Sequence, residues 1–258
     1  MRFGNIEYEH YTSLQADRMY LHAAQEALSR ATEAWERVQK AQKEVDDLKA
    51  KIDRIEEKYK GGVHKVMEKT EDLCWWLVED ANPKLEDAYG PFVAECALVH
   101  VSCAAAAEAF INERAAGLLA GAEFDAFDKL PLDGKWLFLP RLVGKTGLDP
   151  GKRPLQGLVQ VVKYRNALMH HKATREKWEI GCVAPSTLQR LGLCVDAAEK
   201  SLRATTKSMK NLSKILGEPG DRDRSVAYGF FKWQLETRPI GRPKKRRASK
   251  KTKAHRQP

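Results

Sequence analysis

Residues 13–60 read SLQADRMYLHAAQEALSRATEAWERVQKAQKEVDDLKAKIDRIEEKYK, a run with neither glycine nor proline. Small or apolar residues recur every seven positions: Ala24, Ala31, Val38, Val45, Ile52 and Tyr59 in one register, Ala27, Ala34, Ala41, Leu48 and Ile55 in the other. A heptad sustained this long predicts one helix with a coiled-coil seam. Alanine makes the first half of that seam thin, so packing back on the rest of the chain competes with pairing between two chains. Gly61-Gly62 then breaks the helix.

Beyond the glycine pair the pattern stays helical. A second helix is expected over 63–79, ending at the turn signal Asn82-Pro83, and a third over 91–118, with Pro91 at its first position. The connecting stretch AEFDAFDKLPLDGKWLFLPRLVGKTGLDPGK (122–152) is dense in Gly and Pro, with room for two short helices. Pro154 opens a helix over 155–172, and a loop or short extended patch follows at 178–183. Pro185-Ser186 starts a long helix to 216, closed by Gly217. A last amphipathic piece, 225–235, carries Tyr228, Phe230, Phe231 and Trp233. With no convincing alternating strand run, no internal repeat and no glycine-rich phosphate loop, the expected fold class is all-α, a helical bundle preceded by one long helix.

At 258 residues, 43% hydrophobic and 31% charged, the chain can bury one or two ordinary cores, which excludes collagen-like, disulfide-scaffold and wholly disordered classes. The stretch 96–110 is interrupted by His100, Ser102 and Glu108 and falls short of the ~20 apolar residues a membrane helix needs, so no membrane span is expected. No apolar region follows the first residues, so no secretory signal is expected. Five scattered cysteines (Cys74, Cys96, Cys103, Cys182 and Cys194) predict reduced thiols and a cytoplasmic location. The net charge of +10 lies entirely in 238–258, RPIGRPKKRRASKKTKAHRQP, with ten Lys/Arg and no acid, leaving 35 basic against 35 acidic residues in 1–237. Three parts are therefore expected: the long helix (1–60), the bundle (61–237) and a disordered basic tail (238–258) with almost nothing to bury.

The helix over 155–172 carries the most informative polar residues. At about 100° per residue, Leu155, Leu158, Val159, Val162 and Met169 define an apolar stripe, and Arg165, Asn166 and His170 fall in its middle and on its flanks. Burying them unpartnered would cost several kcal/mol, so this face is expected to meet a polar cleft or a second copy of itself. A core in which the arginine bonds a carboxylate and the histidine a backbone carbonyl fits the same pattern. His171 lies about 100° further round, near Gln160 and Tyr164, which favours His170 as the reactive ring. On the preceding helix Glu108 and Asn112 sit one turn apart on an alanine-lined strip, where Glu108 either orients Arg165 or His170 or simply faces solvent. Cys96, His100 and Cys103 share an arc, but no second ligand pair completes a zinc site, so they read as core and no metal is expected. Trp136, Leu137, Phe138 and Leu139 read as apolar residues pinning the connection; Lys135, Arg141 and Lys145 read as a wet basic loop or the wall of an RNA path.

The segment KYRNALMHHK (163–172) resembles the R-x(4–6)-H signature of the HEPN superfamily, including the Arg-Asn pair that commonly opens it. AEAFINERA (107–115) and DGKWLFLPRLVGK (133–145), the latter similar to a W-x-L-P-x-L connection of bacterial HEPN families, add to the resemblance, which spans about 91–215. It implies an all-helical domain acting as a homodimer and, in many members, a metal-independent endoribonuclease with toxin or defence roles. The catalytic residues would be Arg165, Asn166 and His170, with Glu108 and Asn112 in support and no cofactor. The expected partner is RNA, and an antitoxin of unspecified kind goes with a toxin role. A non-catalytic HEPN-like module that dimerises or binds a nucleotide or nucleic acid is the alternative; a DNA-associated scaffold built on the long helix is a third reading.

In the tail, Gly241-Arg242-Pro243 followed by Lys244, Lys245, Arg246 and Arg247 partly resembles an AT-hook, though Ile240 stands where the hook has an arginine. The reading these residues favour over the hook is a polycation binding any nucleic acid, RNA or DNA, by counterion release; KKRR is also a nuclear address in a eukaryotic cell.

Overall fold

The computed structural model describes residues 2–3, 6–60, 62–170, 185–218 and 231–239. Two compact units divide the chain, one made of its two terminal segments and one spanning Ala16–Tyr228.

The larger unit is all-α. Helix α1, Ala16–Lys58, carries the heptad. Ala24, Ala27, Ala31, Ala34, Val38 and Val45 are all buried, and their partner is the chain's own central helix, against which α1 makes its most extensive packing. Alanine is what permits this approach: two helices meet closely only where the side chains between them are small. Arg30 closes the seam from outside with a bidentate pair to Glu95, at 2.9 and 3.0 Å. Further along, Ile52 and Ile55 are only half-buried.

The second and third expected helices are one continuous rod. Helix α2, Val63–Trp76, passes through a π-helical turn, Leu77–Ala81, into α3, Asn82–Leu118. Asn82-Pro83 is therefore not a turn and Pro91 is not a helix start. The Asn82 N–H donates to the carbonyl of Leu77, five residues back, and this widened turn accommodates the proline that follows. Pro91 forfeits one helical hydrogen bond at a cost of about 3 kcal/mol, offset by burial of the next residue, Phe92, against Trp35 at 4.9 Å. The rod is the one helix among the described residues long and apolar enough to cross a membrane, and 56% of its most apolar window is buried within the fold.

Helices α4, Gly121–Asp128, and α5, Leu132–Leu142, occupy the connection. Trp136 and Leu139 are fully buried, the indole stacked on Phe110 at 5.8 Å. Helix α6, Leu155–Met169, ends before the expected 172, because His170 leaves helical geometry at φ −115°, ψ 25°. The single long helix expected from 185 is two: α7, Pro185–Leu191, and α8, Val195–Leu216. Gly192 separates them at φ +70°, its N–H bonded to the Gln189 carbonyl while Leu193 N–H bonds that of Leu188, a left-handed helix stop that favours glycine. Core residues of α1, α3, α5, α6 and α8 form one cluster; a second lies where α1 and the first half of α3 meet Leu191 and Leu193.

A side chain at Gly192 would also place its Cβ 2.8 Å from the Tyr164 ring. Gly192→Ala is expected to destabilise the fold by about 2–3 kcal/mol, the left-handed strain and the displaced ring adding. Gly117→Ala, in open space at a helical position, should be neutral or stabilise by up to about 1 kcal/mol. Urea midpoints of the two variants check the contrast.

The smaller unit is a three-stranded antiparallel sheet in the order β1-β2-β3: β1 Arg2–Phe3, β2 Ile6–Leu14, β3 Phe231–Pro239. Ile6 pairs with Pro239 and Leu14 with Phe231. Residues 231–235 are thus a strand and not the end of a helical piece, and Arg238, expected to begin the tail, pairs with Glu7. The signal is the alternation Phe231, Trp233, Leu235, Thr237, which helical spacing of the aromatics masked. Residues 225–230 lie outside the described residues.

Candidate functional site

Helix α6 presents the Arg165, Asn166 and His170 set on its last turns. Its buried residues are Leu155, Leu158 and Val161, so the buried face is rotated by roughly 40° from the expected stripe. Arg165 continues the buried face and is two-thirds covered. Asn166 and His170 turn to solvent, and Met169, expected in the apolar stripe, is 65% exposed. The expectation that all three polar residues lie against a cleft is corrected to this extent: within one chain only Arg165 is enclosed. The His170 N–H donates to the Asn166 carbonyl at 3.0 Å, which ties the histidine to the helix end while its ring has no hydrogen-bond partner among the described residues. His171 lies outside them.

The expected pairing of Arg165 with Glu108 is present, Nη2 to Oε2 at 4.0 Å. Glu108 also faces Lys135, Oε1 to Nζ at 3.9 Å. Lys135 is the residue sequence reading misplaced. Assigned to a wet loop or an RNA path, it is 2% exposed, with Nζ donating to Asn112 Oδ1 at 3.0 Å and to Asp128 Oδ1 at 2.9 Å. Asn112 thus reaches the site through Lys135, one turn beyond Glu108. Two cations thus flank one carboxylate that is itself 44% exposed, at distances beyond hydrogen-bond length, so Glu108 draws Arg165 toward the rim through a solvent-screened attraction. The sequence held a hint: an acid and an amide on an alanine strip need a donor, and the nearby α5 supplies one.

On the other side of α6 lies a buried polar knot. His100 of α3 is fully buried, Nε2 donating to the Gly192 carbonyl at 2.8 Å and Nδ1 accepting from Ser201 Oγ at 3.0 Å, with the Tyr164 ring 4.7 Å away. Burial pushes its pKa below the ordinary 6.5, against the Gly192 carbonyl, which favours the proton. The same burial drives the Cys96 and Cys103 thiols up to about 12, so both are protonated core residues. Among the described residues no three metal-ligating side chains converge. A depressed histidine pKa means the unfolded chain takes up a proton before the folded one does. Stability is therefore expected to be full above pH 6.5 and to fall as the pH drops toward the folded value. Urea midpoints at pH 7.5 and 5.5 should show this fall in the wild type and a smaller one in His100→Gln.

Two cavities are lined by parts of the helical unit. One, about 660 Å³, runs along the seam of α6 and α8 between Arg153, Tyr164, Lys200 and Asn211. The other, about 580 Å³, lies among Trp35, Tyr89, Phe92, Leu188 and Leu193. Neither is lined by Arg165, Asn166 or His170. The tail residues Arg242, Lys244, Lys245, Arg246 and Arg247 lie outside the described residues. No family model, curated protein or solved structure matches the chain.

Proposed function

We propose that the protein is a metal-independent endoribonuclease of the HEPN type, working in the cytoplasm as a homodimer in a toxin or defence role. One observation carries the reading: Arg165 lies at the rim beside Glu108 while Asn166 and His170 stand exposed at the end of the same helix. RNA brings its own nucleophile, so the protein needs to move protons and stabilise charge on phosphorus. His170 takes the proton of a 2′-OH, whose oxygen attacks the adjacent phosphorus. Arg165 donates to the non-bridging oxygens as negative charge builds there. The bond to the 5′-oxygen breaks, that oxygen takes a proton from water and leaves as a 5′-hydroxyl, and a 2′,3′-cyclic phosphate remains. Asn166 orients the ring or donates to the phosphate. Docking of two α6 ends would enclose the exposed Met169 and give the solvent-facing groups a cleft.

Incubating the purified chain with mixed RNA in EDTA tests this. Wild type should cut, and Arg165→Ala and His170→Ala should not. Cutting by both variants at the wild-type rate, or loss of wild-type cutting in EDTA, overturns the mechanism. The 65% exposure of Met169 beside Asn166 and His170 also favours a second reading, a non-catalytic module in which this face docks a partner; it predicts dimers without cleavage.

A further inference from the structure

The chain from 1 to 237 is neutral in sum, yet its charge is sorted. Between Lys200 and Leu216, α8 contains no acid and five bases: Lys200, Arg203, Lys207, Lys210 and Lys214. At about 100° per residue they fall within an arc of roughly 80°, one per turn along ~21 Å. All five are exposed. Lys200 pairs with Asp196 at the stripe's N-terminal end, whereas the other four have no carboxylate partner among the described residues. A row of like charges costs folding free energy through self-repulsion, which an anion bound along it would relieve.

The stripe borders a built groove. Gly157 of α6 sits over Ala204 of α8 so closely that a Cβ there would lie 2.7 Å from that of Ala204. This contact draws the two helices together and leaves a floor of Pro154, Gly157, Ala197 and Ala204. Arg203 and Lys207 form one wall, with Lys200 paired to Asp196 at its N-terminal end, and Arg153 stands at the end of the other wall, with Gln160 and Tyr164 further along it. The cavity holds about 660 Å³ and is elongated, so it suits a strand better than a compact ligand.

We propose that the α6/α8 groove binds single-stranded nucleic acid, the phosphates tracking the α8 basic stripe and the bases or sugars lying on the apolar floor toward Tyr164. A single strand running along the stripe presents a row of phosphates to its cations, and an apolar floor beside a basic wall is how single strands are held without sequence preference. Tyr164 and Asn166 point to nearly opposite sides of α6, so the groove is distinct from the Arg165 and His170 face and does not depend on cutting there.

The test uses the full chain and a labelled 2′-O-methyl polyuridine 15-mer, which lacks the free 2′-OH and reports binding without cleavage. Anisotropy is followed from 50 to 400 mM salt for wild type and for the triple variant Arg203→Gln, Lys207→Gln, Lys210→Gln. A control triple, Lys40→Gln, Lys43→Gln, Lys51→Gln, removes the same charge from exposed positions of α1. The groove variant should lower the slope of log affinity against log salt by about two, near 0.7 for each phosphate no longer neutralised, and the control should change it by much less. Equal changes in both variants, or none in the groove variant, overturn the proposal. So does a 15-base-pair RNA duplex that binds as tightly as the single strand. A polyglutamate peptide that displaces the 15-mer at equal charge concentration would instead assign the groove to an acidic protein. Wild-type RNA cleavage decides the separate question of Arg165 and His170.

Discussion

Arg114→Ala should cost the helical unit about 3–5 kcal/mol, the range for removing one member of a buried ionic cluster. Arg114 is 8% exposed near the end of α3, its Nη1 3.7 Å from Asp17 at the start of α1 and its Nε 3.2 Å from Glu218 just beyond α8. Glu113 adds a contact at 2.9 Å, and the guanidinium lies 3.6 Å over the Phe110 ring. One cation thus ties the ends of three helices. Without it Asp17, 9% exposed at its side chain and still accepting from the Arg18 backbone N–H at 2.9 Å, loses a buried cationic partner. Arg114→Lys should recover only part of the loss, since an ammonium can neither stack on Phe110 nor bond several acceptors in a plane. Adding Asp17→Asn to Arg114→Ala should restore some stability, because the orphaned charge is gone. Urea unfolding of the three variants measures this; a loss below 1 kcal/mol for Arg114→Ala would mean that water reaches Asp17 freely.

His170→Ala should slow RNA cleavage by about 10²–10⁴-fold, the usual contribution of a positioned general base or acid, and Arg165→Ala by a similar factor. The two losses should not multiply in the double variant if both groups act on the same phosphate. His171→Ala should keep most activity. The opposite ranking of the two histidines in single-turnover assays would place the reactive ring one residue further along. On the proposed mechanism Lys135→Met should lower activity modestly without Lys135 touching RNA, since it removes one of the two cations flanking Glu108, the carboxylate beside Arg165.

The fold was legible where the pattern was local. The alanines of the α1 heptad, Trp136 and Leu139 of the apolar WLFLP segment, and Gly217 as the stop of α8 all appear where periodicity and turn chemistry put them, whereas Phe138, expected to pin the connection with them, is 42% exposed. Asn82-Pro83 and Pro91 misled because proline signals a break only when the helix cannot widen or offset the lost bond; here a π turn and the burial of Phe92 do both. Gly192 was passed over because a single glycine inside an apolar-periodic run does not by itself mark a helix end, and the Tyr164 ring that a Cβ there would meet lies in no local window. In the site, the Glu108 and Arg165 pairing followed from spacing on two helices, whereas Lys135 did not, since its burial depends on where α5 lies against α3. Balanced totals of acid and base hid the α8 stripe. Net charge is a sum, and the arc on which Lys200, Arg203, Lys207, Lys210 and Lys214 fall is visible only on the wheel.

The most direct measurement is the chemistry of the ends. Wild-type protein incubated with RNA in EDTA should leave 2′,3′-cyclic phosphate on the upstream fragment and a 5′-hydroxyl on the downstream one, with both missing from His170→Ala reactions. Fragments bearing 3′-hydroxyl and 5′-phosphate ends, or cyclic ends made equally by His170→Ala, would contradict 2′-OH attack driven by Arg165 and His170.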